Sequence, residues 1–199
     1  MYGIEIGDNQ RDLTDGERRF AEIVFQDSVD YDQVRISDGI GLDGRPFTVP
    51  VALTSEGLLR KYVDLITLPY QGVLRYVVPD KFAIFINFGP QGYVNALSDS
   101  YGFIHEMTHV WQYQHGNAVI SDSLINQLLR GSGAYKYDKP PTGQWAAYNV
   151  EQQAAIIEDW VKGGYTDNEN FRYVKENIRK GQTGITSSLP DTTPLENRL

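Results

Sequence analysis

The segment His105-Glu106-Met107-Thr108-His109 decides how this sequence is interpreted. It contains the pattern His-Glu-x-x-His, with the two histidines four positions apart. On an α-helix, residues four apart lie on one face, about one turn from each other, so both imidazoles can reach a single metal ion. Apolar and aromatic residues flank the pattern on both sides and predict a helix that is buried over most of its surface.

Glu106 follows the first histidine directly and so lies to one side of this face. Zinc lowers the pKa of a bound water to about 7, and Glu106 is placed to take the proton of that water. Burying two histidines and a glutamate costs free energy unless they are paired or bind a metal. The pattern therefore predicts a Zn2+ site with Glu106 as the catalytic base, although the same ligands also suit Mn, Fe, Co and Ni. The alternatives are a buried helix whose histidines only form hydrogen bonds and a decayed site that no longer holds metal.

The composition restricts both the metal ligands and the partners. The chain has 199 residues and no cysteine, which limits the ligands to His, Asp and Glu. Its net charge of −8 argues against nucleic acid or an anionic membrane as the main partner. No stretch of about 18 apolar residues is present, so we expect no membrane span. We see no signal peptide, and we expect a protein that is cytoplasmic or exported by a signal-independent secretion system.

The remaining sequence predicts an α+β fold in one domain, residues 1–182, followed by a poorly ordered tail at 183–199. A mixed N-terminal lobe would precede a helical C-terminal part. Residues 81–88 are the strongest predicted strand, expected at the upper edge of a substrate cleft, with a plain core strand as the alternative. The predicted helices span residues 14–25, opened by a Thr14–Glu17 capping box, then 99 or 100 to 116, 121–129, 145–162 and 168–180.

A catalytic zinc site normally has three protein ligands and one open position, so a third ligand is needed. His115 lies six residues after His109, but Gln112 stands where a glycine would let a third histidine turn back onto the metal. On an unbroken helix His115 would lie roughly 9 Å further along the axis than His109. Glu151 and Glu158 are the other candidates, because they lie seven positions apart on roughly the same face of a second helix. We favour Glu151, with Glu158 as the backup.

Tyrosines supply candidates for stabilising negative charge in the transition state. A donor beside the metal must bind the developing oxyanion, and a tyrosine hydroxyl can do so. We expect Tyr137 or Tyr148 in this role, while Tyr135 lies in the same loop as Tyr137. The alternative is that these aromatic side chains only pack the floor of the cleft.

The segments FIHEMTHVWQ at 103–112 and YNVEQQA at 148–154 resemble a bacterial zincin-like metallopeptidase family of the gluzincin type. Its members are labelled Vgr-related or Rhs-associated and are linked to type VI secretion. Looser matches at 11–17, 24–25 and 30–36 extend the resemblance over about residues 11–160. The resemblance implies a zincin-like fold, a metal held by His105, His109 and Glu151, and Glu106 as the base.

One position departs from the thermolysin-like pattern, in which an Asp four residues after the ligand Glu supports a ligand histidine. Here that position is Ala155. We therefore expect the histidines to be supported by Asp99, Asp159 or a backbone carbonyl.

Together these observations predict a zinc-dependent hydrolase that cleaves a peptide bond in a peptide or protein substrate. A role as a secreted effector or toxin would add a secretion-apparatus protein or an immunity protein as partner. Two alternatives stay open: a non-catalytic zincin-like adaptor module of a secretion system, and an amidase that acts on cell-wall peptides. The two hydrolases would use the same ligands, so the sequence does not separate them.

Overall fold

The computed structural model describes residues 4–5, 7–41, 44–52, 62–63, 82–116 and 131–179. The predicted helix at 121–129 and the predicted tail at 183–199 lie outside these residues.

A four-stranded mixed sheet forms the main β part of the fold. The strands are β1 Ile4–Glu5, β2 Gln10–Asp12, β3 Val34–Ser37, β4 Phe47–Ala52, β5 Tyr62–Val63 and β6 Phe82–Asn87. The order in the sheet is β2, β3, β6, β4, in which β3 and β6 are parallel and the two outer pairs are antiparallel. The short strands β1 and β5 form a separate antiparallel pair.

Helices make up most of the described C-terminal part. They are α1 Asp15–Phe25, α2 Gly89–Val94, α3 Ser100–Gln114, α4 Val150–Lys162 and α5 Glu169–Tyr173, which continues as a π-helical turn at Val174–Ile178. Short 3-10 turns lie at Tyr31–Gln33, Ala96–Asp99, Gly131–Tyr135 and Trp145–Ala147. The predicted α+β class is confirmed. Within the described ranges, every helix is too short or too polar to cross a membrane.

One hydrophobic core joins the sheet to the helices. Ile36 and Ile84, on adjacent strands, are fully buried in the same cluster as Met107 of α3 and Trp160 of α4. All residues of α3 from 103 to 113 are buried, as the flanking apolar residues predict. The polar side chains of this helix must therefore find their partners inside the protein.

The position of β6 inside the sheet fits the alternative of a plain core strand and not the expected edge strand. The strand predicted at residues 81–88 does not form the edge of the sheet, because β6 is hydrogen-bonded to β3 on one side and to β4 on the other. A strand that is covered on both faces carries a continuous apolar run rather than an alternating one, and residues 83–86 are all buried and apolar. Among the described strands, β4 takes the outer position beside it.

The N-terminal ends of two helices depend on capping boxes. Thr14 caps α1 with Glu17, as predicted. Asn149 caps α4 with Gln152, so the helix begins at Val150 and not at Trp145 as the sequence suggested. The predicted last helix also differs, since α5 is only a short α-helix that changes to a π-helical turn.

Glu17 connects α1 to the strand before it and to the turn before α3. Its carboxylate accepts hydrogen bonds from the Arg11 guanidinium at 2.7 and 2.8 Å and from the backbone N–H groups of Thr14 and Ala96. Burial by itself would raise the pKa of Glu17, but the bond from Arg11 and the two backbone bonds more than offset it. The pKa of this carboxyl therefore lies below its ordinary value.

We expect Glu17→Gln to lower the free energy of unfolding by about 3 kcal/mol at neutral pH, because the amide loses the charge that Arg11 faces. Because the pKa of Glu17 is lower in the folded state than in the unfolded state, its charge contributes its full stabilisation above the ordinary carboxyl pKa of about 4.3. This stabilisation is lost as the pH falls through the lower pKa of the folded state. Urea unfolding at a series of pH values should show the gap between wild type and Glu17→Gln narrowing in acid. A gap that stays constant down to about pH 2 would contradict this account.

Candidate metal centre

Three buried side chains from two helices meet in one cluster. His105 and His109 lie on α3, and Glu151 lies in the first turn of α4. Glu151 Oε2 is 3.2 Å from His105 Nε2 and 3.6 Å from His109 Nε2, and the three ligand atoms all lie within 4.8 Å of one another. The exposed fractions of the three residues are 8%, 4% and 0%, so all three side chains are buried.

The spacing of these atoms suits a small divalent ion. Zinc binds nitrogen and carboxylate oxygen at about 2.0–2.2 Å in a tetrahedral arrangement, which places neighbouring ligand atoms about 3.4 Å apart. The separations of 3.2 and 3.6 Å lie on either side of that value. Two imidazoles and one carboxylate are also the ligand types that zinc prefers, and three ligands leave one position open. The cluster could therefore hold a metal ion.

The electrostatics of Glu151 keep its carboxylate charged despite full burial. Burial alone would raise the pKa of Glu151, but the charges of His109 and His105 and the hydrogen bond with His105 hold the pKa well below its usual range. The position in the first turn of α4 adds the positive end of a helix dipole. The carboxylate is thus in the form that a metal ligand requires.

Each imidazole is fixed through the nitrogen that faces away from the cluster. His105 Nδ1 lies 3.0 Å from Glu158 Oε2, and His109 Nδ1 lies 2.8 Å from Gln112 Oε1. The Gln112 amide donates to Val150 O and to Gln153, which turns its oxygen towards His109. Because both facing oxygens accept, Nδ1 of each ring carries a proton, and the Nε2 atoms, which face Glu151, are the two nitrogens that could bind a metal after losing their own protons.

Glu158 thus lies behind His105, on the side away from Glu151. From the sequence we predicted Glu158 as the backup third ligand, and we expected Asp99, Asp159 or a backbone carbonyl to support the histidines. In the structure Glu158 Oε2 supports His105 while Glu158 Oε1 forms an ion pair with Lys162. The seven-residue spacing places Glu158 on the same helix face as Glu151, two turns further along, but it does not distinguish a metal ligand from a partner of His105.

The structure places His115 outside the cluster. It is the C-cap residue of α3, its Nδ1 lies 2.8 Å from Trp111 O, and its ring stacks on the Trp111 ring with centroids 4.5 Å apart. The next residue, Gly116, has a φ of 79°, the left-handed conformation that ends many helices.

Glu106 lies beside the cluster with its carboxylate turned towards the sheet. Its Oε2 accepts a 2.7 Å hydrogen bond from the Thr48 hydroxyl of β4, and the residue is 6% exposed. Burial raises the pKa of Glu106 above its ordinary value, although the charges of His109 and His105 and the Thr48 bond act in the opposite direction. Glu106 is therefore a carboxyl group whose affinity for a proton is increased by its surroundings.

A cavity of about 400 Å³ opens next to His105 and Glu106. It lies between the loop before β4, the start of α3 and one face of α4. Its other lining residues are Arg45, Pro46, Asp99, Gly102, Tyr135, Tyr137, Lys139, Ala155, Glu158, Asp159 and Lys162.

The two tyrosines predicted as oxyanion donors use their hydroxyl groups elsewhere. Tyr137 lines the cavity, but its hydroxyl donates to Asp159 Oδ2 at 2.5 Å. The Tyr148 hydroxyl accepts a hydrogen bond from the backbone N–H of Gly143 at 2.9 Å. Neither hydroxyl is directed by these bonds towards the histidine cluster.

Tyr135 is the tyrosine that contacts the cluster. Its ring centroid is 5.6 Å from that of His105, and the guanidinium carbon of Arg45 lies 5.9 Å from the centre of the tyrosine ring on the cavity wall. Burial and the charge of Glu151 raise the pKa of Tyr135, and nearby Arg45 acts against them. The hydroxyl is therefore protonated and able to donate at neutral pH. No local pattern marks Tyr135 in the sequence, because a 3-10 turn places it.

We expect Glu151→Gln to abolish stoichiometric zinc binding, because a neutral amide of the same shape is a poor ligand. Glu158→Gln should still bind zinc but with an affinity about 10- to 100-fold lower, because His105 loses its ionic support. Elemental analysis after dialysis, followed by titration with a competing chelator, measures both effects. His115→Ala serves as the control and should bind as wild type. Zinc lost from His115→Ala and retained by Glu151→Gln would contradict the assignment.

The comparisons with known proteins give one similar curated protein and one similar solved structure. No protein-family model matches the chain. Over 183 residues it is 31% identical to the type VI secretion system spike protein VgrG2b of Pseudomonas aeruginosa, an alignment that covers 86% of this chain and 15% of that protein. A solved structure of the effector domain of Pseudomonas aeruginosa VgrG2b is 29% identical, with 83% of each chain covered and a TM-score of 0.49. The chain is thus similar to a small part of a type VI spike protein, in agreement with the Vgr-related resemblance of its sequence.

Proposed function

We propose that this chain is a zinc-dependent peptide-bond hydrolase with a zincin-like active site. One observation carries the proposal: the buried carboxyl of Glu106 lines a cavity beside a His105, His109 and Glu151 cluster whose spacing suits zinc. A structural metal site needs no base next to it, whereas a hydrolytic site does.

The residues divide the chemistry between them. Zinc bound by the cluster would supply a Lewis acid that polarises the scissile carbonyl and acidifies water. Glu106 accepts a proton from the attacking water and then passes it to the leaving amine as the C–N bond breaks. The raised pKa of Glu106 makes its carboxylate a stronger base towards the attacking water.

Tyr135 is the residue best placed to donate to the oxyanion that develops on the substrate. It lines the same cavity as Glu106 and contacts His105, while Arg45 lies against its ring. A preorganised donor at this half-buried point contributes more than a donor in water, because it needs no reorganisation as the charge develops.

Strand β4, which is the outer strand among those that the structure describes, offers a place for extended substrate. Arg45 and Pro46, directly before β4, line the cavity, and Thr48 within it contacts Glu106. A peptide that paired with this edge would run past the base, as in other cases of strand addition to a sheet. We therefore assign the substrate-binding edge to β4 instead of β6.

The biological role that fits this chemistry is that of a type VI secretion effector. The similarity to VgrG2b, a type VI spike protein, supports it. Delivery into a competing cell would require an immunity protein in the producer, and the substrate would be a protein or a cell-wall peptide.

We expect Glu106→Gln to lower kcat by about 10²-fold or more with the bound zinc unchanged, because the amide cannot accept the proton. A panel of unstructured proteins, quenched fluorescent peptides and cell-wall stem peptides would measure cleavage, with zinc content determined in parallel. Cleavage of stem peptides alone would identify an amidase. A wild type that binds zinc and cleaves nothing in the panel would favour the non-catalytic adaptor module, and an active Glu106→Gln would refute the assigned base.

We expect Tyr135→Phe to lower kcat by about 10²-fold with little change in KM, because the lost hydroxyl acts mainly in the transition state. Tyr148→Phe is the matched variant, since its hydroxyl bonds to Gly143. Steady-state kinetics of both variants show whether Tyr135, identified from the structure, or Tyr148, predicted from the sequence, donates to the oxyanion. A larger loss in Tyr148→Phe than in Tyr135→Phe would reverse the assignment.

A further inference from the structure

Two groups of Thr48, the side-chain hydroxyl and the backbone carbonyl, connect strand β4 to α3, the helix that carries the histidine ligands. Its hydroxyl lies 2.7 Å from Glu106 Oε2 and 3.3 Å from the Glu106 carbonyl oxygen. Its own carbonyl accepts a 3.2 Å hydrogen bond from the Tyr113 hydroxyl, two turns further along α3. Thr48 is 9% exposed, so both bonds form away from bulk water.

The hydroxyl of Thr48 has one proton, and the distances show which acceptor receives it. The carboxylate oxygen at 2.7 Å is within the range of charge-assisted O–H···O bonds, whereas the carbonyl at 3.3 Å is beyond the usual length. Glu106 Oε2 is thereby engaged. The other oxygen, Oε1, receives no hydrogen bond from the described residues, and Glu106 lines the cavity.

The register of the sheet fixes Thr48 at this point. Thr48 pairs with Ile86 of the central strand, and its neighbour Val49 pairs with Phe85. Successive residues of a strand point to opposite faces, so a shift of one residue would turn the hydroxyl away from α3. The bond to Glu106 therefore depends on strand pairing as well as on the side chain.

We propose that Thr48 is a positioning residue for the catalytic base: it holds Oε2 of Glu106 so that Oε1 is the oxygen that takes and returns the proton. The inference rests on the proposed hydrolytic function. It also links two parts of that function, because β4, which would pair with substrate, is the strand that orients the base.

The test compares three variants of the zinc-loaded full chain. Thr48→Val has the same shape without the donor, Thr48→Ser keeps the donor without the methyl group, and Tyr113→Phe removes the hydrogen bond from α3 to the Thr48 carbonyl. We expect Thr48→Val to lower kcat about 10-fold or more at similar KM and zinc content, because a free carboxyl samples unproductive orientations. Thr48→Ser and Tyr113→Phe should retain most of the activity.

A second readout uses the metal-free protein and needs no catalysis. In protein labelled with ¹³C at the glutamate carboxyl carbon, the Glu106 resonance is assigned by its loss in Glu106→Gln. Thr48→Val should shift this resonance, and Thr48→Ser and Tyr113→Phe should leave it close to its wild-type position.

Three results would overturn the role of Thr48. The first is a Thr48→Val variant with full activity. The second is a Thr48→Ser variant that is as impaired as Thr48→Val. The third is a Tyr113→Phe variant that is as impaired as Thr48→Val, which would show that only the docking of β4 against α3 matters. An unshifted Glu106 resonance in Thr48→Val would overturn the hydrogen bond itself. An inactive wild type would instead overturn the proposed function and this role with it.

Discussion

The buried carboxylate of Glu151, shared between two imidazoles, is the interaction on which the rest of the site depends. A charge without exposed surface costs free energy unless opposite charge and hydrogen bonds face it. Here His105, His109 and the first turn of α4 supply them, which requires α3 and α4 to pack closely. The alanines that follow Glu151 on α4, Ala154 and Ala155, are both buried, and their small side chains allow that approach. Packing of the two helices and assembly of the ligand set are therefore one event.

A second layer of side chains fixes the first. Glu158 and Gln112 hold the outer nitrogens of the two histidines, and Thr48 holds the outer oxygen of Glu106. Glu158 comes from α4 and Thr48 from β4, while Gln112 lies on α3 and is itself held by Val150 and Gln153 of α4. The reactive groups are therefore oriented by contacts between elements and not by α3 alone. Such support lowers the cost of ordering the site when a metal or substrate binds.

Local signals in the sequence predicted what local geometry determines. Histidines four positions apart indicated one helix face, and the Thr14–Glu17 capping box gave the start of α1. The remaining features depend on contacts between distant segments. The sequence of β6 is apolar whether the strand lies at the edge of the sheet or in its centre. The sequence allows Glu158 to face either a metal or the back of a histidine. Only the folded chain brings Tyr135 into contact with His105. Sequence patterns indicated Glu158 and placed Tyr135 in the same loop as Tyr137, but the contacts of these two residues could not be predicted from them.

The position of α3 in the middle of the core follows from the chemistry that it carries. Successive residues of a helix are rotated by about 100°, so Glu106 cannot point in the same direction as His105 and His109. The histidines need a carboxylate from one side, and the base needs a partner from another. In this fold α4 provides Glu151 on the first side and β4 provides Thr48 on the second. A helix exposed on either side would lose one of the two, which explains why the ligand-bearing segment is covered by both a helix and a sheet.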